Sequence, residues 1–293
     1  MPTVIGLGEL LWDEFPDGRR PGGAPANVAY HAGLLDADAW VATRVGDDQA
    51  GRDLRDEIEV AGLDVDLIQT DPKHPTGVVE VTLEDGQPSY EIHAAAWDHI
   101  EATPRLLDAA RQADAVCFGT LAQRHDDSRQ AIGAVLDAAD NALKVFDVNL
   151  RQDFYDADIL RASLRRADVV KLNGDEVREV GGLLSLPTEA AEFAGRVRAD
   201  FGVATVCVTL GEDGCALYEG EETARVERVE VDLVDAVGAG DAFTAALIVS
   251  TLAGYDLQTR GEIANAVGAL VASRAGAMPD IRPELEAMFG EEE

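Results

Sequence analysis

Lysine is almost absent from this chain of 293 residues, which contains only three. Lysine and arginine together number 24 against 56 aspartates and glutamates, so 24 − 56 gives a net charge of −32. A field this negative repels nucleic-acid backbones and anionic membranes, so we expect neither as a partner. A surface rich in carboxylates and poor in lysine stays soluble where concentrated salt screens its self-repulsion, which predicts a halophilic organism as the source. An ordinary acidic protein is the alternative.

Other features are scarce or missing as well. The three cysteines, Cys117, Cys207 and Cys215, lie in or beside apolar runs without CxxC spacing, so we expect small core residues and no disulfide framework or zinc site. The N-terminus lacks the basic region of a signal peptide, and the longest weakly polar run, Ala242–Gly254, has 13 residues, whereas a membrane span needs ~20. We therefore expect a cytoplasmic protein.

Several signatures of catalysis and metal binding are absent too. The chain has no GxxxxGK[ST] loop, no GxSxG elbow and no HExxH motif, which argues against P-loop NTPases, α/β hydrolases and zincin proteases. The histidines show no ligand spacing, so we expect surface or satisfied core residues at all five positions, His31, His74, His93, His99 and His125.

Short apolar runs alternate with helical periodicity along most of the chain, which predicts a largely parallel α/β sheet. The predicted strands are Val4–Gly8, Ala115–Gly119, Lys144–Val148, Asp168–Leu172 and Thr205–Thr209. The predicted helices are Ala24–Leu35, Ser128–Ala139 and Thr188–Asp200. The segment Gly77–His93 alternates with a period of two around Asp85-Gly86, which predicts a β-hairpin outside the main sheet that can act as a lid.

Two glycines precede a long apolar stretch near the C-terminus, in the segment Val234–Phe243. We expect a turn that begins a helix, with free backbone amides from Gly238 to Asp241 that can bind a phosphate. Asp241 would repel that phosphate unless it accepts a proton from an attacking hydroxyl, which suggests a general base. A plain helix-capping role for Asp241 is equally compatible with these residues. Phe243 replaces the third glycine of a dinucleotide fingerprint, which disfavours a dehydrogenase.

Two long motifs resemble the signatures of the ribokinase-like (PfkB) carbohydrate kinases. Asp235-Ala-Val-Gly-Ala-Gly-Asp241 is similar to the C-terminal signature, and Gly22-Gly23-Ala-Pro-Ala-Asn27 followed by Val45-Gly46-Asp47-Asp48 is similar to the N-terminal one. Matches between them at Phe146–Arg151, Lys171–Glu176 and Val208–Gly214 extend the resemblance over nearly the whole chain. The segments Gly8–Asp13, Ala96–Asp98 and Gly119–Arg124 look most like bacterial-type fructokinases.

The resemblance implies a fold and an oligomeric state. It implies one ribokinase-like α/β domain over residues 1–293, with a mostly parallel central sheet flanked by helices. A small β lid would be made from residues 77–93 together with parts of the N-terminal region, about residues 9–22. Because the lids of related kinases often pair, the resemblance also suggests a homodimer formed through the lid.

The resemblance also assigns the catalytic roles. Asp241 would be the general base of an ATP-dependent phosphoryl transfer to a sugar hydroxyl. The turn of Gly238, Ala239 and Gly240, with the Asp241 amide, would form the anion hole for the transferring phosphoryl group. Arg151 would pair with a phosphate or with the substrate.

Further residues would hold the nucleotide and its metal ions. The nucleotide would contact Asn173, Thr209, Gly211, Gly214 and Asn265. Glu176, with Asn173, would hold magnesium-bound water near the phosphates, although the same pair also fits a helix N-cap with its capping box. Asp235 and the loop near Gly276 match a monovalent cation site of some family members, which suggests K⁺ dependence.

The sugar would contact Asp13, Gly22, Gly23 and Asn27, because carboxylates and amides suit the hydroxyls of a polyol. A plain solvated loop residue at Asp13 remains an alternative. The resemblance implies an ATP-dependent sugar kinase with fructose as the leading substrate. A 2-keto-3-deoxygluconate kinase is the alternative within the enzyme class, and a non-catalytic sugar- or nucleotide-binding regulator is the alternative outside it. The presence of Asp241 favours the enzyme.

Overall fold

The computed structural model of the protein describes residues 1–15, 18–84 and 87–289. The strands are β1 Thr3–Leu7, β2 Leu11–Phe15, β3 Gly18–Gly22, β4 Asp38–Gly46, β5 Ile68–Asp71, β6 Gly77–Glu84, β7 Gln87–Ile92, β8 Ala115–Phe118, β9 Leu143–Asp147, β10 Val169–Asn173, β11 Thr205–Thr209, β12 Cys215–Glu219 and β13 Glu222–Val226. The helices are α1 Ala24–Leu34, α2 Gln49–Val60, α3 Pro104–Gln112, α4 Asp126–Ala138, α5 Ala157–Leu164, α6 Gly174–Leu184, α7 Ala190–Phe201, α8 Ala239–Leu252, α9 Leu257–Ala272 and α10 Arg282–Phe289.

The main sheet has nine strands in the order β13-β12-β11-β10-β9-β8-β1-β4-β5. The seven strands from β11 to β5 run parallel, while β12 and β13 are antiparallel additions at one edge. The five strands predicted from the sequence all belong to this sheet, each within one residue of its predicted bounds. The predicted α/β fold class is therefore confirmed, and the antiparallel edge is an addition that the sequence analysis did not anticipate.

The central strands are buried on both faces, as parallel strands covered by helices must be. Every residue of β8 is buried, and so are four of the five residues of β11. One core layer lies on each side of the sheet: Trp97, Phe118 and Phe146 belong to the first, and Leu54 and Leu247 to the second. The cysteines Cys117, Cys207 and Cys215 are free and buried in these layers, as predicted. None of the helices in the described part of the chain is long and apolar enough to cross a membrane.

A second, four-stranded sheet has the order β3-β2-β6-β7. Strands β6 and β7 pair antiparallel in the segment where the hairpin is predicted, while its turn at Asp85-Gly86 lies outside the described residues. Strand β2 pairs with both β3 and β6, so the N-terminal region and the hairpin form one layer. The end of β3 leads directly into α1, which places the small sheet beside the N-terminus of that helix.

Candidate active site

The first turn of α8 lies against the carboxyl ends of β9 and β10. The helix begins at Ala239, three residues before the apolar run that starts at Ala242, and its N-cap is Gly238, which has a φ of 79°. Only glycine fits there, because a Cβ atom at Gly238 would lie 2.5 Å from the Ala277 carbonyl oxygen. The Ala239 amide donates a long hydrogen bond of 3.3 Å to the Ala236 carbonyl, so an incoming phosphate would compete with that contact. The predicted anion hole therefore coincides with a helix N-terminus.

Asp241 lies in this first turn and bonds across the site to α1. Its Oδ2 atom accepts a 2.7 Å hydrogen bond from Nδ2 of the buried Asn27. Burial raises the pKa of Asp241 to about 6, and the charge of Asp147 adds to this, while the Asn27 hydrogen bond and the charges of Lys171 and Arg151 oppose it. Asp241 is not the N-cap, because Gly238 holds that position, and what remains of the capping alternative is the favourable place of an acidic residue in the first turn. Asp241 is therefore a shielded carboxyl group that can take up a proton.

Asn27 retains unused hydrogen-bonding capacity. Its Oδ1 atom is buried and has no hydrogen-bond partner among the described residues. An unpaired buried acceptor carries a desolvation penalty of ~1–3 kcal/mol. A ligand hydroxyl that donates to Asn27 would remove this penalty, which fits the predicted sugar contact.

The other predicted sugar-binding residues surround the start of α1. Asp13 lies on β2 with its carboxylate over Gly22, where any Cβ atom would overlap it. Gly23 has a φ of 115°, and a Cβ atom there would overlap the carbonyl group of Glu9. Burial raises the pKa of Asp13 to about 6, against the opposing charge of Arg151. The alternative for Asp13 is therefore wrong, because it is a partly buried strand residue and not a solvated loop residue.

Glu9 is a buried carboxyl group of this site that the sequence analysis did not assign a role. Burial raises its pKa to about 7, and the charge of Asp241 adds to this, while the amides of Glu9 and Ala24 and the charge of Arg151 lower it. Its Oε2 atom has no hydrogen-bond partner among the described residues. The Arg151 charge thus acts on Glu9, Asp13 and Asp241 alike, which places Arg151 beside the predicted sugar site.

A buried ion pair beneath the helix N-terminus was also missed. Lys171 on β10 lies opposite Asp147 on β9, and its Nζ atom donates to both carboxylate oxygens over 3.1 and 3.2 Å. Thr244 of α8 donates to the same carboxylate over 2.7 Å. Burial alone lowers the pKa of Lys171, but the charges of Asp147, Glu176 and Asp241 outweigh it, so the pKa is raised. A Cβ atom at Gly240 would lie 3.2 Å from Nζ, so a lasting positive charge lies at the predicted anion hole.

Asn173 and Glu176 form the capping box of α6. Asn173 Oδ1 accepts from the amides of Asp175 and Glu176, each over 2.9 Å, and Glu176 Oε2 accepts from the Asn173 amide over 2.8 Å. Glu176 Oε1 accepts from the Leu150 amide over 2.8 Å. Each carboxylate oxygen has a second lone pair. The capping role therefore leaves Glu176 able to accept a hydrogen bond from metal-bound water.

The predicted nucleotide-binding residues line one cavity of about 790 Å³. The residues of the sequence prediction that line it are Asn173, Thr209, Gly211, Gly214, Ala239, Gly240 and Asn265. The segment 228–233, which the sequence analysis did not include, forms another wall. Gly214 has a φ of 83°, and a Cβ atom there would overlap the Val226 carbonyl group, so a close backbone approach accounts for this glycine. The cavity leads from a glycine-rich turn to the N-terminus of α8.

Asp235 and Gly276 also come together. Asp235 Oδ2 accepts from the Gly276 amide over 3.0 Å, and Oδ1 accepts from the Val237 amide over 3.0 Å. The carboxylate thus joins the turn before α8 to the loop after α9. The two residues predicted for a cation site are therefore in contact, through a hydrogen bond from the Gly276 amide to the Asp235 carboxylate.

Comparison with known proteins shows close relatives over the whole chain. The model of the pfkB family of carbohydrate kinases matches residues 14–284. A Pyrococcus horikoshii protein described as an uncharacterized sugar kinase is 32% identical over 94% of this chain and 91% of its own. Its structure in complex with ATP has a TM-score of 0.81 at 30% identity, with 94% of each chain covered.

Two fructokinases are also similar to this chain. The Escherichia coli fructokinase is 31% identical over 96% of this chain and 97% of its own. A double-mutant Vibrio cholerae fructokinase with bound fructose, ADP and potassium ion has a TM-score of 0.84 at 25% identity, with 98% of each chain covered.

Proposed function

This chain belongs to the pfkB family of carbohydrate kinases and is an ATP-dependent sugar kinase, and we propose that the sugar it phosphorylates is fructose. The observation that carries the proposed transfer to a sugar hydroxyl at this site is the 2.7 Å hydrogen bond between Asn27 and Asp241. It joins the predicted sugar-binding helix to the predicted general base, beside an amide oxygen that still lacks a partner. A sugar that donates one hydroxyl to Asn27 Oδ1 would hold a neighbouring hydroxyl next to the carboxylate that takes its proton.

In the proposed reaction, a hydroxyl oxygen of the sugar attacks the γ-phosphorus of ATP. The new oxygen–phosphorus bond forms as the bond to the bridging oxygen breaks and ADP leaves, and the hydroxyl proton passes to Asp241. Charge on the transferring group would be met by the amides of Gly240 and Asp241 and by the Lys171 ammonium beneath them. Positioning and electrostatic stabilisation supply most of the catalysis in such transfers.

Magnesium fits the oxygen donors near the nucleotide cavity. Mg²⁺ prefers oxygen ligands and keeps several of its waters, and the carboxylate of Glu176 has lone pairs available for such waters. We propose that Glu176, next to Asn173, would hold the ion through water. When bound with ATP, the ion would neutralise charge on the phosphates.

The charges around the sugar site favour a neutral sugar. The charge of the Arg151 guanidinium acts on three carboxyl groups, those of Glu9, Asp13 and Asp241. A sugar acid such as 2-keto-3-deoxygluconate would bring another carboxylate into this group and would be repelled. The similarity to fructokinases supports the same choice.

A coupled assay of ADP release tests the substrate. Fructose, ribose, glucose and 2-keto-3-deoxygluconate would be compared at equal concentration with ATP and Mg²⁺ in high KCl. We expect the highest kcat/KM for fructose. A higher value for the sugar acid would support the alternative substrate, and no ADP release with any sugar would contradict the kinase reaction itself.

We also propose that K⁺ stimulates the reaction through Asp235 and the loop at Gly276. Support comes from the contact between these two residues, which holds the turn before α8, and from the potassium ion in the Vibrio cholerae fructokinase. Rates in KCl and NaCl at equal ionic strength test this. Equal rates would contradict the proposal, whereas faster turnover in KCl would support it.

Finally, we propose that the protein forms a homodimer through the small sheet. We also propose that it is located in a salt-rich cytoplasm. The sheet order leaves β3 and β7 as edge strands, which are able to pair with another chain. Sedimentation analysis in high salt tests the dimer, and a monomer at all concentrations would contradict it. The net charge of −32 supports the location.

A further inference from the structure

Three of the five histidines meet at one surface position, although they lie far apart in the sequence. The His74 and His99 rings stack at 3.7 Å between centroids with an interplanar angle of 13°, and the His125 ring lies 4.4 Å from that of His99. The Asp127 carboxylate lies between the last two. We call His74, His99, His125 and Asp127 the histidine cluster, which shares no residue with the candidate active site.

The ligand-type atoms of the cluster lie near metal-binding distances of one another. Asp127 Oδ2 is 2.7 Å from His99 Nδ1 and 3.8 Å from His125 Nδ1, and one ligand atom from each of the three residues lies within 4.8 Å of the others. A tetrahedral ion with ligand bonds of ~2.0–2.2 Å separates its ligand atoms by roughly 3.3–3.6 Å. Small rotations of exposed side chains reach this spacing, since 46% of the His125 side chain and 61% of the Asp127 side chain are exposed.

The backbone that carries these side chains is already fixed. Ser128 Oγ accepts from the Ile100 amide over 2.8 Å and donates to the Trp97 carbonyl over 2.7 Å. It thereby ties the short 3₁₀ helix Ala96–His99 to the first turn of α4. His125 is the N-cap of α4, and its Nδ1 atom accepts a long hydrogen bond of 3.3 Å from the Asp127 amide, which an ion bound at Nδ1 would replace. An ion would therefore meet ligands on a preorganised scaffold.

The surrounding charges favour a cation. Arg44 is held by two carboxylates, with 3.2 Å from its Nε atom to Asp71 and 2.6 Å from its Nη1 atom to Glu101. Asp71 also bonds His74 over 2.9 Å. The nearby Arg124 and Arg129 are each paired with a carboxylate of their own, Asp98 and Asp126. Among the remaining described groups, the carboxylates of Asp71, Glu101 and Asp127 outnumber the guanidinium of Arg44, so their net charge attracts positive ions.

We propose that His99, His125 and Asp127 form a binding site for a divalent transition metal ion such as Zn²⁺. Imidazole nitrogens suit Zn²⁺, Ni²⁺ and Co²⁺ but not Mg²⁺, so the site would not compete for the ion of the kinase reaction. A water molecule would fill the fourth position. His74 would orient the His99 ring by stacking against it. The ion would link the 3₁₀ helix to α4 and would raise the melting temperature, because a ligand of the folded state stabilises it.

Calorimetric titration with ZnCl₂ alone tests the site, with chelator-treated protein that carries no affinity tag. We expect saturable binding of one equivalent to the wild type, together with a higher melting temperature. His99→Phe keeps an aromatic ring in the stack, and His125→Asn keeps an N-cap acceptor. Each of these variants, and Asp127→Asn, removes one ligand and is expected to weaken binding at least about tenfold.

His93→Phe is the matched control, because it removes an exposed histidine outside the cluster. We expect it to bind ZnCl₂ as the wild type does. Circular dichroism checks that every variant is folded. The absence of saturable binding to the wild type would overturn the proposal. So would unchanged affinity in the His99→Phe/His125→Asn double variant, since binding would then occur elsewhere, such as at the carboxylates of the active site.

Discussion

Replacement of Asp241 by asparagine is expected to stabilise the fold while removing activity. The pKa of Asp241 is about 6 in the folded protein against an ordinary value of 3.8. The difference, 6 − 3.8, is about 2.2 pKa units, which corresponds to ~3 kcal/mol at 1.36 kcal/mol per unit. An acid with a raised pKa binds its proton more tightly in the folded state, so stability falls as pH rises from 4 to 6. Asparagine avoids this loss and can still accept the Asn27 hydrogen bond.

The same substitution removes the proton acceptor of the proposed reaction. A positioned general base contributes about 10²–10⁴-fold, so kcat is expected to fall by at least about 10². In the wild type, Asp241 must be ionised to act. We therefore expect kcat/KM to fall roughly tenfold per pH unit below a pH of about 6 and to level off above it. Asn27→Leu removes a hydrogen bond that lowers this pKa, so it should move the acidic limb to higher pH.

Urea unfolding and coupled kinetics across the pH range measure both effects. At pH 8 the Asp241→Asn variant should gain up to ~3 kcal/mol of unfolding free energy, and the gain should vanish below pH 4. Asp140→Asn, at an exposed position after α4, is the matched control and should change neither quantity. A variant that retains more than about a tenth of the wild-type kcat would refute the role of the base. The absence of any gain at pH 8 would refute the reasoning about burial.

Three further predictions concern the surroundings of Asp241 and the surface. Gly238→Ala should destabilise the protein by more than the ~1–2 kcal/mol that a left-handed alanine costs, because its Cβ atom would also meet Ala277. Gly254→Ala is the control, because Gly254 has a φ of 77° with open space around it. Equal losses of unfolding free energy in urea would contradict the steric argument. Lys171→Met should lower the unfolding free energy by about 3–5 kcal/mol, because it leaves the charge of Asp147 buried without its partner. Adding Asp147→Asn should restore most of this stability. An undiminished loss in the double variant would show that the unpaired charge is not the cause. The melting temperature should rise between about 0.1 and 3 M KCl, and a flat profile would contradict a halophilic surface.

The fold could be predicted well because parallel strands buried on both faces are continuous apolar runs, as in β11. The first residue of α8 could not be predicted, because it depends on the contact between Gly238 and Ala277, which lie 277 − 238 = 39 residues apart in the sequence. The motif residues of the site were identified from the resemblance. The pairing of Lys171 with Asp147 follows only from the register of β10 against β9, which no local pattern reveals. A charged residue inside an otherwise apolar strand, as at Lys171, or at its end, as at Asp147, is the signal that could have identified the two residues, though not their pairing.

In the proposed reaction, Lys171 would let such an acidic protein meet the phosphates of ATP. At a net charge of −32, long-range attraction of a polyanion is unavailable. A buried ammonium acts over a few ångströms, where salt screens it little, and its pKa is raised, so it stays charged. Asp147 and Thr244 hold it in place below Gly240. One of only three lysines in the chain is therefore buried where the proposed reaction needs contact-range electrostatics.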